Sequence, residues 1–581
     1  MSYLNFKSQY NPFPKITVSG YSSADLFKGY DKIVNELKYN LREKKVLTIE
    51  MYPGVRYEEV MEGIINPLNP TLIINSDDCA MTVKEMNSVL DKYITDDRVF
   101  GYMTMHSLKD FFIEEEIFKC REKIAHTDGL VIVYGTGASI IHEGDLLIYA
   151  DLARWEIQQR YRSNEIGNWR DDNYTEEILR KYKRGYFIEW RMADKLKKQL
   201  YNKIDYLLDT NIQNTPKMVT GKAFLDGLNF ASTNPFRLVP YFDKGVWGGQ
   251  WMKEVCNLDQ NSENYAWSFD GVPEENSIYL QYGDEFIEVP SINIVFREPK
   301  NLLGPNVYAR YGAEFPIRFD FLDTMQGGNL SLQVHPITSY IQEQFGMHYT
   351  QDESYYMLDT GEDAVVYLGF KEGIDKEEFI EALNKSQADG TPFDDSKYIN
   401  KIAAKKHDHF LIPAGTIHCS GSNSMVLEIS ATPYIFTFKL WDWGRVNFDG
   451  KPRPIHVNHG KEVLDFDRDT KWVYENLVNH FENITENENV KIEKTGLHGT
   501  QAIETKRYTI KNEIIIETQG SVNVLNLIEG KEALVESLDN SFNPLVVHYA
   551  ETFIVPESCK IYKIKPIDKE EIKIIRAIVK N

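Results

Sequence analysis

Apolar positions in the first third of the chain follow two alternating rhythms. Short continuous apolar runs at Lys45–Met51, Thr71–Asn75, Gly129–Tyr134 and Leu146–Tyr149 predict buried strands. Between them, Tyr57–Ile65, Thr82–Ile94 and Leu152–Arg162 have helical patterns. This alternation predicts an α/β domain with a largely parallel sheet over residues 1–210, closed by a charged helix, Tyr174–Leu207. Residues 211–235 scatter Asn, Thr, Pro and Gly and read as a linker.

From Phe236 onward the rhythm changes to many short strands separated by turn residues. That pattern predicts an all-β region of jelly-roll barrels, one over 236–470 and a second over 471–581. A helical insertion, 375–404, interrupts the first and begins DKEEFIEALNK. HDHFLIPAGTIH (407–418) resembles HYAETFIVPESCK (548–560), with Ile561 where His418 would fall. The second barrel is therefore expected to repeat the shape without metal ligands.

Composition narrows the function classes. At 581 residues the chain is too long for one core, and the expected architecture is multidomain. A net charge of −22 argues against nucleic acid or an anionic membrane as partner, while a phosphorylated metabolite in a local basic pocket stays open. Five scattered cysteines without a CxxC pair read as reduced thiols in a cytoplasmic protein. Neither a signal peptide nor a membrane-spanning run is read, so the expected partner is a small molecule.

The candidate chemistry starts at LSLQVHP (330–336). Gln333 and His335 lie two apart on a strand and share a face. Taken alone, they fit a partly polar strand face. IPAGTIHCSG (412–421) changes the balance: a short strand and a tight turn place His418 at the start of the next strand, with Cys419 facing the other way. With Glu353, the set offers two imidazoles, a carboxylate and an amide oxygen. Such N/O donors suit Zn²⁺, with Mn²⁺ or Fe²⁺ as alternatives.

Ordered matches then extend along the chain: FRLVPYFDKGVWGGQWMKE (236–254), FPIRFDFLDTMQGGNLSLQVHP (315–336), DESYYMLDTGEDAVVYLGF (352–370), DHFLIPAGTIHCSG, SMVLEISATPYIFTFKLWDWGR (424–445) and KPRPIHVNHGKEVLDF (451–466). Over 236 to about 459 the chain resembles class I mannose-6-phosphate isomerases, zinc enzymes built from cupin jelly rolls. The resemblance implies one zinc per chain, held by Gln333, His335, Glu353 and His418. It implies aldose–ketose isomerisation through a cis-enediol, most directly between mannose 6-phosphate and fructose 6-phosphate. Glu428 matches an acidic residue beside the family's site and is a candidate acid/base or ligand-orienting group. Ser331 matches a serine near the substrate phosphate. The family's catalytic arginine corresponds to Lys439, and the next basic position is kept as Arg445. Two family lysines fall on Gln351 and Asp320, which weakens an anion pocket. Arg310, Arg318, Lys405, Lys406, Lys451 and Arg453 are neighbouring cations that offer replacement. These departures leave two further readings: an isomerase of another sugar or sugar phosphate, or a carbohydrate-sensing cupin without catalysis.

At the N-terminus, KVLTIEMYPGVRYEE has the strand–turn–helix layout of a P-loop kinase, and the domain resembles uridine-kinase-like proteins. GxxxxGK[ST] is absent, so a degenerate domain is expected. GTGAS (135–139) offers successive amides for a phosphate, against the plainer reading of a tight turn. Arg154, Arg160, Arg162, Arg184 and Arg191 lie on helical stretches, where solvated faces are the default.

Overall fold

A computed structural model describes every residue except Met1, Pro433, Ile435, Asp449, Lys451, Leu497 and Asn581. The chain sorts into two units. One comprises Met1–Pro14, Ser232–Asn276 and Glu298–Asn581, the other Lys15–Ala231 and Ser277–Arg297.

The second of these is the α/β unit. Its seven-stranded sheet runs Leu26–Lys28, Lys217–Thr220, Tyr206–Asp209, Leu146–Asp151, Val46–Met51, Val131–Gly135, Leu72–Asn75. The last five are mutually parallel, and the first two join antiparallel at one edge. The central strand Val46–Met51 is buried along its whole length, as continuous apolar runs in a parallel sheet must be. Helices flank it, including Val83–Ile94, whose N-terminus is closed by a Thr82–Glu85 capping box.

Three expectations differ from this unit. Residues 211–235 are not an irregular linker: they contain the strand Lys217–Thr220 and the helix Gly221–Thr233. Their mean polarity hid a face of Ala223, Phe224, Leu228 and Ala231 that is wholly buried. The charged helix stops at Leu200, and Tyr206–Asp209 is a buried strand, too short for its period to show in sequence. The hairpin Ser277–Tyr282 and Glu285–Pro290, drawn from the expected barrel region, belongs to the α/β unit, where it pairs with Lys15–Thr17.

The other unit is built from antiparallel sheets. A six-stranded sheet runs His409–Ile412, Asp352–Thr360, Ser424–Ala431, Ile317–Asp323, Trp267–Gly271, Tyr241–Asp243. A five-stranded sheet runs Ile399–Ala403, Val365–Phe370, His418–Ser420, Leu332–Val334, Phe438–Trp441. The insertion forms helices Lys376–Asp389 and Asp395–Tyr398, then returns to strand at Ile399, before the expected end at 404. The last hundred residues add a six-stranded and a four-stranded sheet around a core that includes Leu525, Leu527, Phe553 and Tyr562. The paired segments 407–418 and 548–560 both fold as a strand followed by a turn.

Candidate metal centre

The five-stranded sheet sets three polar side chains in one row. Gln333 is in register with His418 on one side and Lys439 on the other, so the three share a face. His335 follows two residues along, and Glu353 comes from the other sheet. Glu353 Oε1 lies 2.7 Å from His418 Nε2, and its Oε2 lies 3.0 Å from His335 Nε2. Gln333 Nε2 is 3.2 Å from His418 Nε2. The His335, Glu353 and His418 donor atoms lie within 4.8 Å of one another, and all three residues are buried.

The hydrogen bonds behind the rings fix what they present. Nδ1 of His335 faces the Phe436 carbonyl at 2.9 Å, and Nδ1 of His418 faces the Thr416 carbonyl at 2.9 Å. A carbonyl only accepts, so each Nδ1 carries a hydrogen and each neutral ring turns an Nε2 lone pair toward Glu353. His335 Nε2 and Glu353 Oε1 have no hydrogen-bond partner among the described residues. Acceptors this close in a dry interior repel unless a shared positive charge, a proton or a metal ion, sits among them. Burial disfavours charge on Glu353, but positive charge on the two imidazoles outweighs it and holds the carboxyl well below its usual range. Burial likewise lowers His335, and Glu353 more than reverses it, so that its net shift is upward. The residues therefore fit a divalent cation, with the Gln333 amide turned to offer its oxygen.

Gln351, read from the sequence only as a lost lysine, has a positioning role. Its Nε2 donates to Glu353 Oε2 at 2.9 Å while its Oε1 accepts from the Phe436 amide at 3.0 Å. Its signal was present in the chain: it lies two residues before Glu353, on the same face.

Glu428 is in register with Asp320 on one side and Tyr355 on the other, two residues along from Glu353. Burial, reinforced by the Glu353 and Asp320 charges, pushes Glu428 well above the usual carboxylate range. Burial pushes Asp320 up to about 7, with Arg318 opposing it. Burial thus shifts both carboxyl groups toward their protonated forms.

Ser331 and Arg445 come together on a common carboxylate, Asp442. Asp442 Oδ1 accepts from Ser331 Oγ at 2.7 Å, Arg445 Nη2 at 2.7 Å and Arg453 Nη1 at 3.0 Å. Arg445 Nη1 also donates to the Asn329 carbonyl at 2.7 Å. A cavity of about 390 Å³ adjoins this cluster, lined by Trp441, Trp443, Arg445 and Arg453 among others. Of the other neighbouring cations, Lys406 pairs with Glu529 at 3.1 Å, and Lys451 lies outside the described residues. Cys419 pairs with Tyr367 while His418 pairs with Leu368, so the thiol faces away from the donors, and burial raises its pKa.

In the α/β unit, GTGAS does hold an anion, but an internal one. Glu50 Oε1 accepts from the Gly137 amide at 2.6 Å, and Oε2 accepts from the Ser139 amide at 2.8 Å and its Oγ at 2.7 Å. Three of the helical arginines turn inward rather than to solvent, because each finds a buried acceptor. Arg154 pairs with Asp194 at 2.7 Å and Arg184 with Glu189 at 2.8 Å, while Arg160 donates to the Gly54 carbonyl at 2.8 Å.

Comparison with known proteins gives two kinds of match. The family described as "Domain of unknown function (DUF8485)" matches residues 29–233. Mannose-6-phosphate isomerase of Streptococcus mutans is 26% identical over 232 residues, 40% of this chain and 67% of that protein. Mannose-6-phosphate isomerase ManA of Bacillus subtilis is 24% identical over 235 residues, 40% of this chain and 69% of that protein. The solved mannose 6-phosphate isomerase of Bacillus subtilis superposes with a TM-score of 0.49 at 19% identity, covering 59% of this chain and 99% of its own. Homology with mannose-6-phosphate isomerases thus covers about 40% of the chain, which supports an isomerase. Among the described residues, no helix is long and apolar enough to cross a membrane.

Proposed function

We propose that the barrel unit is a zinc-dependent aldose–ketose isomerase, interconverting mannose 6-phosphate and fructose 6-phosphate through a cis-enediol. The observation that carries this reading is the convergence of His335, His418 and Glu353, acceptors all, with Gln333 beside them. Zn²⁺, one per chain, suits this donor set, with Mn²⁺ or Fe²⁺ as alternatives. When bound, such an ion polarises the sugar's carbonyl and hydroxyl oxygens and stabilises enediolate charge.

The chain's own groups would manage protons and orientation. Glu428, buried and with its carboxyl pushed toward the protonated form by that burial, is assigned proton transfer to and from the sugar oxygens. Lys439, in register with Gln333, supplies a point charge where the family has a planar guanidinium. Ser331 and Arg445 are assigned the far end of the substrate. By this reading 236–470 is the metal-binding barrel and 471–581 a second barrel without ligands. Residues 1–210 are a degenerate kinase-like domain, supported by the strand Val46–Met51 and the turn into Tyr57. Five free cysteines fit a cytoplasmic setting.

A second reading has its own observation. Asp442 already engages Ser331, Arg445 and Arg453, which favours an unphosphorylated sugar, turned over or merely sensed. Metal analysis combined with C2-proton exchange on hexoses and hexose phosphates separates these readings. The expected result is one equivalent of zinc and exchange that falls roughly a thousandfold in His335→Ala and His418→Ala. A metal-replete chain that exchanges no proton on any of these sugars would defeat the isomerase.

A further inference from the structure

A cavity of about 800 Å³ in the α/β unit is used by nothing in the isomerase reading. Pro53 and Gly54 follow the strand Val46–Met51, Thr136 follows Val131–Gly135, and Asp77 follows Leu72–Asn75, so its floor is the carboxyl edge of the parallel sheet. The chain's next strands lie to one side of Val46–Met51, and Leu146–Asp151 lies on the other. Ligands of open α/β sheets bind at such a switch point, and the volume falls within the usual range of about 300–1,000 Å³.

The lining states what would fit. Carboxylates outnumber the two guanidiniums, Arg56 and Arg170, so the walls repel a polyanion. The amides that would cradle a phosphate, Gly137 and Ser139, are already taken by Glu50. Nη1 of Arg56 and Nε of Arg170 are buried without a hydrogen-bond partner among the described residues, and such donors seek a neutral oxygen as readily as a charged one. Arg170 Nη1 donates to the Asp77 backbone carbonyl, and Trp169 Nε1 donates to the Asp77 carboxylate at 3.3 Å. Tyr57 and Tyr174 add ring faces. Fixed carboxylates, guanidinium donors and aromatic rings together match a hydroxyl-bearing ring: carboxylates accept from hydroxyls, guanidiniums donate to them, and the rings cover C–H faces.

We infer that this cavity binds an uncharged, hydroxyl-rich ring, a sugar either free or as the ribose of a nucleoside, and discriminates against phosphate esters. The site stands whether or not the barrel unit is an isomerase. The test is calorimetric titration of the full chain carrying His335→Ala, which disables the barrel's donor set. One arm uses mannose, fructose, glucose and ribose, a second uridine and adenosine, and a third their phosphate esters. Binding is expected in one of the first two arms, which identifies the source. Phosphate esters are expected to bind at least roughly tenfold more weakly than their parents. Asp77→Asn and Glu59→Gln, each checked for a native melting curve, should weaken the neutral ligand by about tenfold. Glu50→Ser, which frees the two amides, should narrow the discrimination against phosphate. Equal binding of esters and parents, no binding at millimolar concentration in any arm, or unchanged affinity in both folded acid variants would overturn the proposal.

Discussion

Glu353 and Glu50 are both buried carboxylates, and their surroundings are opposite. Glu353 faces two imidazole nitrogens that offer lone pairs, so its cluster is complete only with an added positive charge. Glu50 faces two amides and a hydroxyl that offer hydrogens, so its cluster is complete as it stands. Asp442 repeats the second arrangement inside the barrel unit, where one oxygen collects Ser331, Arg445 and Arg453. A buried acceptor therefore does not by itself mark a binding site. The protonation of what surrounds it decides whether it awaits a ligand or replaces one.

The largest expected effect tests Glu50. Burial raises it from 4.5 to about 7, despite the donors of Ser139 and Gly137 that oppose the shift. Between those pH values the folded chain holds a proton that the unfolded chain has released. Its contribution to stability is thus full below 4.5, declines as pH rises to about 7 and is flat above. Glu50→Gln should remove this slope, worth about 3 kcal/mol across the window, as read by denaturant unfolding of the α/β unit at several pH values. An unchanged slope would mean that the cradle satisfies the carboxylate more fully than its burial implies, and the contrast with Glu353 would fade.

Next comes Gln351. Its amide holds Glu353 Oε2, and loss of such a support lowers metal affinity by roughly 10–100-fold. Gln351→Ala should show this in competition with a chelator, with little change in melting temperature of the metal-free chain. A large change in the metal-free melt and none in affinity would make Gln351 a structural residue only.

The smallest effect concerns Asp442. Asp442→Asn should release the two arginines and improve binding of a hexose phosphate over the free hexose by about tenfold, measured by calorimetry. If the unaltered chain already prefers the phosphate by that margin, Asp442 is an orienting partner of the arginines rather than a substitute for the anion.

Much was legible in the sequence because it depends on period and spacing. The parallel strands of the α/β unit are continuous apolar runs, and Gln333 and His335 share a face because a strand has period two. The strand–turn–His pattern at 410–420 pointed to His418, and the order of the matched segments pointed to Glu353. The sequence did not reveal Tyr206–Asp209 as a strand, because four residues carry too little period. Nor did it reveal the helix Gly221–Thr233, whose polar face dominates its composition. It also gave no hint that the hairpin 277–290 joins the α/β unit, since that choice is made by pairing with Lys15–Thr17.

What the sequence by itself determined was which residues were available and which could share a face, since both follow from local backbone geometry. What only the tertiary structure decided was which acceptor meets which donor. That pairing depends on contacts between residues up to a hundred or more positions apart, as when Ser331 and Asp442, or Glu50 and Ser139, meet across the fold. For this reason the four candidate metal donors were readable in advance, while the internal carboxylates that fill the two expected anion sites were not.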